Sequence, residues 1–112
     1  MCHNKLLFKL RQYGITGSLL AWIADFLTDR SHKTRVSGCM STALPITSGV
    51  VQSSCLGPLL FLLYINDLPD LIDGGVCIKL FADDVKLYTN ITLPPDVKNV
   101  VLQEHLDKLA KW

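Results

Sequence analysis

Two carboxylates stand side by side, Asp83 and Asp84, within an otherwise strand-like run, Val76-Cys77-Ile78-Lys79-Leu80-Phe81-Ala82-Asp83-Asp84-Val85-Lys86-Leu87-Tyr88. Neighbouring acids repel each other, and strands disfavour Asp. A pair set between two apolar runs therefore marks a tight turn, a metal site, or both, since a hairpin turn fixes two carboxylates beside a divalent cation. The chemistry open to such a pair is metal-assisted phosphoryl or nucleotidyl transfer, in which ions about 3.5–4 Å apart clamp the attacking and leaving oxygens. Oxygen-only ligands favour Mg²⁺ over softer metals. Read alone, the pair is also what an ordinary Asp-Asp turn looks like.

A second candidate lies upstream, in Gly49-Val50-Val51-Gln52-Ser53-Ser54-Cys55-Leu56-Gly57-Pro58-Leu59-Leu60-Phe61. Small residues at Gly49, Ser53, Ser54 and Gly57 allow another molecule close to the backbone. Gln52 carries an amide that both donates and accepts, and the following helix directs its first N–H groups outward. These features suit a sugar, a base edge or a phosphate. They equally describe a small-residue loop entering a helix.

The elements that must position these residues follow from periodicity and punctuation. Asn4 is a candidate N-cap for a helix over 4–13, with Gly14 as its stop and Leu6, Leu7, Leu10 and Tyr13 as its apolar stripe. Thr16 or Ser18 caps a second helix through Leu27, whose apolar face is Leu19, Leu20, Ile23, Phe26 and Leu27. β-Tolerant pieces at 33–37 and 43–50 flank Gly38-Cys39-Met40-Ser41, which reads as a hairpin or an irregular pair. Gly57-Pro58 opens a third helix reaching about Leu68, and Pro69 with Asp73-Gly74-Gly75 turns the chain into the Val76 strand. After Tyr88, a loop with Pro94-Pro95 leads to a last helix over 96–112. The predicted class is α+β, with an antiparallel Asp-bearing hairpin covered on one face by helices.

Composition narrows the field. At 112 residues, 49% hydrophobic and 19% charged, the chain suits one small domain or a piece of a larger one and is no disordered tail. So apolar a short chain is expected to expose surface that packs against parts it does not contain. The net charge of +1 conceals a basic front, six Lys or Arg against two Asp through Met40, and an acidic rear. Such an arrangement suits a phosphate backbone beside a metal site, or simply two solvated faces. Cys2, Cys39, Cys55 and Cys77 form no C-x-x-C pair and are expected to be free, buried thiols in a reducing compartment. No secretory signal opens the sequence, so a nuclear or cytoplasmic protein is expected. The uncharged stretch from Arg35 to Asp67 is broken by Gly38, Pro45, Gly49, Gly57 and Pro58. Its longest apolar piece falls far below the roughly 20 residues of a membrane span, and no membrane partner is expected.

Together, the Gln52 segment, Ile65-Asn66-Asp67-Leu68-Pro69 and Phe81-Ala82-Asp83-Asp84 resemble the palm of a reverse transcriptase, of the kind found in non-long-terminal-repeat (LINE-like) retrotransposons. The family carries G-V-P-Q-G-S-x-L-G-P-L-L-F, then I-N-D-L-P, then Y/F-A-D-D at about this separation. His3-Asn4-Lys5-Leu6-Leu7-Phe8-Lys9-Leu10 and Leu106-Asp107-Lys108-Leu109-Ala110-Lys111-Trp112 resemble the family's flanking helices, so the likeness covers the whole chain. It implies RNA-templated DNA synthesis on an RNA template, a DNA primer and dNTPs. Asp83 would be a direct Mg²⁺ ligand with Asp84 beside it. Gly49, Gln52 and Ser53 would line the nucleotide and template side, and Phe81 would lie near the primer end. Lys33 and Arg35 would be solvated or touch template phosphates.

The departures are informative. The family's first catalytic aspartate precedes the His3-Asn4 helix, so residues 1–112 are expected to be a partial domain without that carboxylate, the fingers or the thumb. Asp25 and Asp29 stand where the family has no ligand. Val51 replaces a Pro that would stiffen the loop, and Ser53 replaces a Gly. The chain alone is expected to hold Mg²⁺ weakly and to be catalytically incomplete. The alternatives are a co-opted, non-catalytic nucleic-acid-binding module and a decayed retrotransposon remnant without function.

Overall fold

The computed structural model describes residues 1–89 and 94–112, apart from the side chain of Pro95. It divides into two compact units, Met1–Tyr64 and Ile65–Trp112. The loop expected between Tyr88 and Pro94 lies largely outside the described residues. The described part mixes helices with antiparallel two-stranded pairs, which is the α+β class expected from the sequence.

Unit 1 begins with helices α1 (His3–Gln12) and α2 (Gly17–Leu27). Helix α1 starts earlier than Asn4 suggested: Cys2 is the N-cap. The N–H groups of Lys5 and then Asn4 lower the pKa of the Cys2 thiol below its usual range. The helix ends as Gly14 implied. At φ +84°, Gly14 lets its own N–H reach the Arg11 carbonyl (3.0 Å) and the Ile15 N–H reach that of Leu10 (2.9 Å). The core stripe is Leu6, Leu10, Leu20, Ile23 and Leu27, joined by Leu60 and Tyr64. Leu19, expected inside, is exposed.

Lys9 is the outlier in this core, being only 5% exposed. Its Nζ donates to the Tyr64 carbonyl at 2.7 Å and lies 4.9 Å from the centre of the Tyr64 ring. A buried ammonium is tolerated when an acceptor and an aromatic face replace its water. At the far end of α2, Arg30 donates to the Phe26 (3.1 Å) and Asp25 (3.3 Å) carbonyls, and Thr28 to that of Ala24 (3.0 Å). Arg30 thus supplies a donor to two carbonyls of the last turn, while the Ala24 carbonyl also accepts the Thr28 N–H at 3.1 Å.

An exposed ribbon follows. Strands β1 (Ser31–His32) and β4 (Leu44–Pro45) pair antiparallel outside β2 (Arg35–Val36) and β3 (Cys39–Met40). Its tip is Ser37-Gly38, both at positive φ as a primed two-residue turn requires, so Cys39 and Met40 are strand rather than turn. Helix α3 (Gly57–Ile65) buries Gly57, Leu60 and Tyr64 at helical spacing. A Cβ at Gly57 would lie 2.9 Å from Ser54 Oγ and 3.2 Å from Val50, so a larger residue at this helix entrance would have to displace the Ser54 side chain. The helix stops before Leu68. Pro69 lacks an N–H to continue it and instead opens a 3₁₀ turn, Pro69–Leu71.

Unit 2 is built on the hairpin of β5 (Val76–Phe81) and β6 (Asp84–Thr89), with helix α4 (Pro95–Lys111). Pairing runs from Val76↔Thr89 to Phe81↔Asp84. The pleat sends Val76, Ile78 and Leu80 to the more buried side, with Leu87 opposite Ile78. Val85 and Leu87 share an apolar cleft with Leu102, Leu106 and Leu109 of α4.

Helix α4 is also tied to the turn before β5. His105, 3% exposed, directs Nδ1 at the Val101 carbonyl (2.7 Å) and Nε2 at Asp73 Oδ1 (3.0 Å), while Lys108 Nζ lies 3.3 Å from the same oxygen. The Asp73 carboxyl is held below the usual carboxylate range, first by the His105 hydrogen bond and then by Lys108.

The cysteines correct one expectation. All four thiols are free, but they are exposed, not buried. Cys39 lies in a ribbon with both faces open, and Cys77 takes the outward side of the β5 pleat. Among the described residues, no helix is long and apolar enough to cross a membrane.

Candidate functional site

The Asp pair occupies the end of the β5–β6 hairpin. Phe81 and Asp84 close the ladder as partners, leaving Ala82 and Asp83 as the two turn residues. Ala82 takes φ +50°, the left-handed region that costs a residue bearing a Cβ roughly 1–2 kcal/mol. The two carboxylates thus sit on consecutive residues, one in the turn and one at the first ladder position. Phe81 is 82% exposed, which leaves an aromatic ring in solvent next to the acids. Behind it on the ladder, Lys79 stands directly opposite Lys86. Two ammonium groups facing each other across a strand pair repel.

The donor set decides what this turn can hold. Among the described residues, no three His, Cys, Asp or Glu side chains gather where they could surround a metal ion. Two carboxylates on consecutive residues suit, at most, one divalent cation that keeps most of its water. They do not fit a two-ion clamp, which needs a carboxylate bridging both ions. No reaction step follows from these two side chains alone.

The Gln52 loop belongs to unit 1, and its entrance is clamped to the start of the chain. The Gly49 N–H donates to the Met1 carbonyl at 2.8 Å, and the Gly49 carbonyl lies 2.8 Å from His3 Nε2. On the other side, Ser54 Oγ donates to the Val51 carbonyl at 2.7 Å and accepts the Gly57 N–H at 3.1 Å. Between these anchors, Gln52 and Ser53 are exposed. Ser53 takes φ +62°, so the position where a glycine was expected has a backbone that glycine adopts freely.

The structure therefore groups Gly49, Gln52 and Ser53 on one loop, and Phe81, Asp83 and Asp84 on one turn. Asp25 and Asp29 belong to neither. The sequence reading missed the His3 and Met1 clamp, and the only available signal was that His3 begins the segment resembling the family helix. It also missed the His105–Asp73 tie, because Asp73 looked like a plain turn residue.

Comparison with known proteins places the whole chain in one family. The family profile described as "Reverse transcriptase (RNA-dependent DNA polymerase)" matches residues 1–112. The RNA-directed DNA polymerase from mobile element jockey of Drosophila funebris is 32% identical over 116 residues, covering 98% of this chain and 12% of that protein. Its Drosophila melanogaster counterpart is 30% identical over 121 residues, with the same coverage of both chains. The probable RNA-directed DNA polymerase from transposon BS of Drosophila melanogaster is 32% identical over 114 residues, covering 96% of this chain and 12% of that protein. The chain thus spans about an eighth of the length of these relatives. No solved structure matches. The matches and the three motifs agree, and the chain belongs to the reverse transcriptase (RNA-dependent DNA polymerase) family, in its non-long-terminal-repeat retrotransposon branch.

Proposed function

We propose that residues 1–112 are palm sequence of an RNA-directed DNA polymerase, acting on an RNA template, a DNA primer and dNTPs, and catalytically incomplete on their own. Asp83 is the principal Mg²⁺ carboxylate and Asp84 the second. Gly49, Gln52 and Ser53 face the incoming nucleotide and template, and Phe81 lies near the primer end. A divalent cation held by these carboxylates would supply charge neutralisation at the transferring phosphoryl group. The chain's own contribution is to hold two carboxylates on a closed turn and an amide on a clamped loop.

The observation that carries this reading is the placement of Asp83 in a two-residue turn closed by the Phe81–Asp84 pair. The donor set supports the incompleteness, with two carboxylates and no third gathered beside them among the described residues. Primer extension on an RNA template with Mg²⁺ tests both parts. The 112-residue chain should give no extension. A jockey polymerase whose matching segment is replaced by these residues should extend, and Asp83→Asn in that chimera should lower the rate at least about a hundredfold. Full activity of the Asp83→Asn chimera would remove Asp83 from catalysis, and extension by the isolated chain would refute the incompleteness.

A further inference from the structure

The loop that carries Gln52 hangs between two fixed ends, and a histidine fixes the first of them. Gly49 is the point where this loop could turn most easily. At φ +81° it takes a conformation that glycine adopts freely, but glycine is equally ready for others. A side chain 46 positions upstream helps to make the choice: the Gly49 carbonyl lies 2.8 Å from His3 Nε2. A carbonyl can only accept, so Nε2 carries the hydrogen and donates it. The Gly49 N–H is engaged as well, by the Met1 carbonyl at 2.8 Å. With the groups on both sides of its Cα held, Gly49 loses its freedom to rotate.

His3 stands on a firm base. It is the first residue of α1, whose Leu6 and Leu10 are 0% exposed. Lys9 of the same helix donates to the Tyr64 carbonyl of α3 at 2.7 Å. Helix α1 thus fastens both the entrance of the loop and the helix that follows it. Only Val50 and Val51, both half-buried, separate Gly49 from Gln52. Val51 leaves φ free where a proline would lock it, so the stiffness of this stretch has to come from its hydrogen bonds.

We propose that His3 is a positioning residue for the Gln52 loop: its Nε2–H, held on the Gly49 carbonyl, sets where Gln52 and Ser53 stand toward the molecule they face. His3 acts through the loop and not on the substrate. The inference rests on the reading of that loop as facing nucleotide and template, and adds that its alignment is set from α1. A loop free to turn at Gly49 would hold Gln52 in place for only a fraction of the time, and binding would weaken by that fraction. The loss therefore falls on KM and spares kcat. A histidine that only packed unit 1 would cost stability without singling out KM.

The test is steady-state primer extension by the jockey chimera carrying these residues, with KM measured separately for dNTP and for template–primer. Gln52→Ala identifies which of the two constants the loop governs. His3→Leu should raise that same constant roughly three- to tenfold, as one lost hydrogen bond does. Its kcat should stay within about twofold of the parent. His3→Gln keeps an N–H donor at about the reach of Nε2 and should hold KM within about twofold, whereas His3→Asn, whose amide falls short, should behave as His3→Leu. In the Gln52→Ala chimera, His3→Leu should add nothing further. Additive losses, a fall in kcat alone, or equal losses from His3→Gln and His3→Asn would overturn the proposal. Should His3→Leu fail to fold, the Gln and Asn variants decide, since they differ only in reach. If Gln52→Ala leaves both constants unchanged, the reading of the loop falls and the role of His3 with it. If Gln52→Ala raises one of them and His3→Leu does not, only the role of His3 falls.

Discussion

At the scale of single residues, the two candidate segments carry their strain openly. Ser53 and Ala82 both take positive φ without being glycine, one in the Gln52 loop and one in the turn before Asp83. Strain of this kind persists where surrounding contacts over-determine the backbone. Anchors stand on both sides of each: the clamp on Gly49 and the Ser54 contacts in the first case, the closed ladder in the second. Asp73 makes the sharpest prediction at this scale. Its folded-state pKa is depressed by His105 and Lys108, so its stabilising contribution is complete above the unfolded value of about 4 and is lost as pH falls through the lower folded value. Hydrogen exchange of α4 amides should therefore show protection falling as acid is added below about pH 4. Asp73→Asn should be less protected at neutral pH and should lose this part of the acid dependence. Identical profiles for the two proteins would dismiss the tie. The turn at Ala82-Asp83 was legible because two acids interrupt an apolar, strand-like run. Asp73 was not, since its partner His105 lies a full hairpin further along the chain.

At the scale of elements, starts and stops were legible where backbone chemistry dictates them. Gly14 ended α1, Pro69 broke the path of α3, and the alternation after Val76 gave β5. The start of α1 was not, because its cap is a cysteine, a residue type that does not mark helix starts. The ribbon was only half legible. Its turn took Ser37-Gly38, the pair able to share positive φ, and its two-residue strands are too short to show a period. The β5–β6 hairpin keeps one locally unfavourable pairing, Lys79 against Lys86. Lys79→Thr removes the repulsion and supplies a better strand former, so the hairpin should gain about 0.2–1 kcal/mol in urea titration. A loss of stability would mean that Lys79 holds an anionic partner that its exposure conceals.

For the molecule as a whole, apolar residues are plentiful but the buried core is small. Phe8, Leu19, Trp22, Leu59 and Leu62 of unit 1 and Val85, Tyr88, Val100 and Leu106 of unit 2 are all exposed. Isolated exposed apolar residues are ordinary, but this many on a short chain fits a piece whose neighbours cover it in a longer polypeptide. The composition foretold this surplus. Which residues would carry it was not foretold, because a helix apolar on several sides, as α3 is, does not declare which face turns inward. Stability should accordingly depend on few side chains. Leu60, 1% exposed, should cost about 2–5 kcal/mol on truncation to Ala, whereas Leu19→Lys should stay within about 0.5 kcal/mol and raise solubility. Equal costs in chemical denaturation would mean that the core of unit 1 lies elsewhere.

The burial of Lys9 has a practical corollary. An amine-reactive reagent meets most lysines of this chain in the folded state, but Lys9 only when α1 leaves Tyr64. Its labelling rate, read by mass spectrometry, therefore counts the openings of unit 1. The chain carries its own clock for how long that unit stays folded.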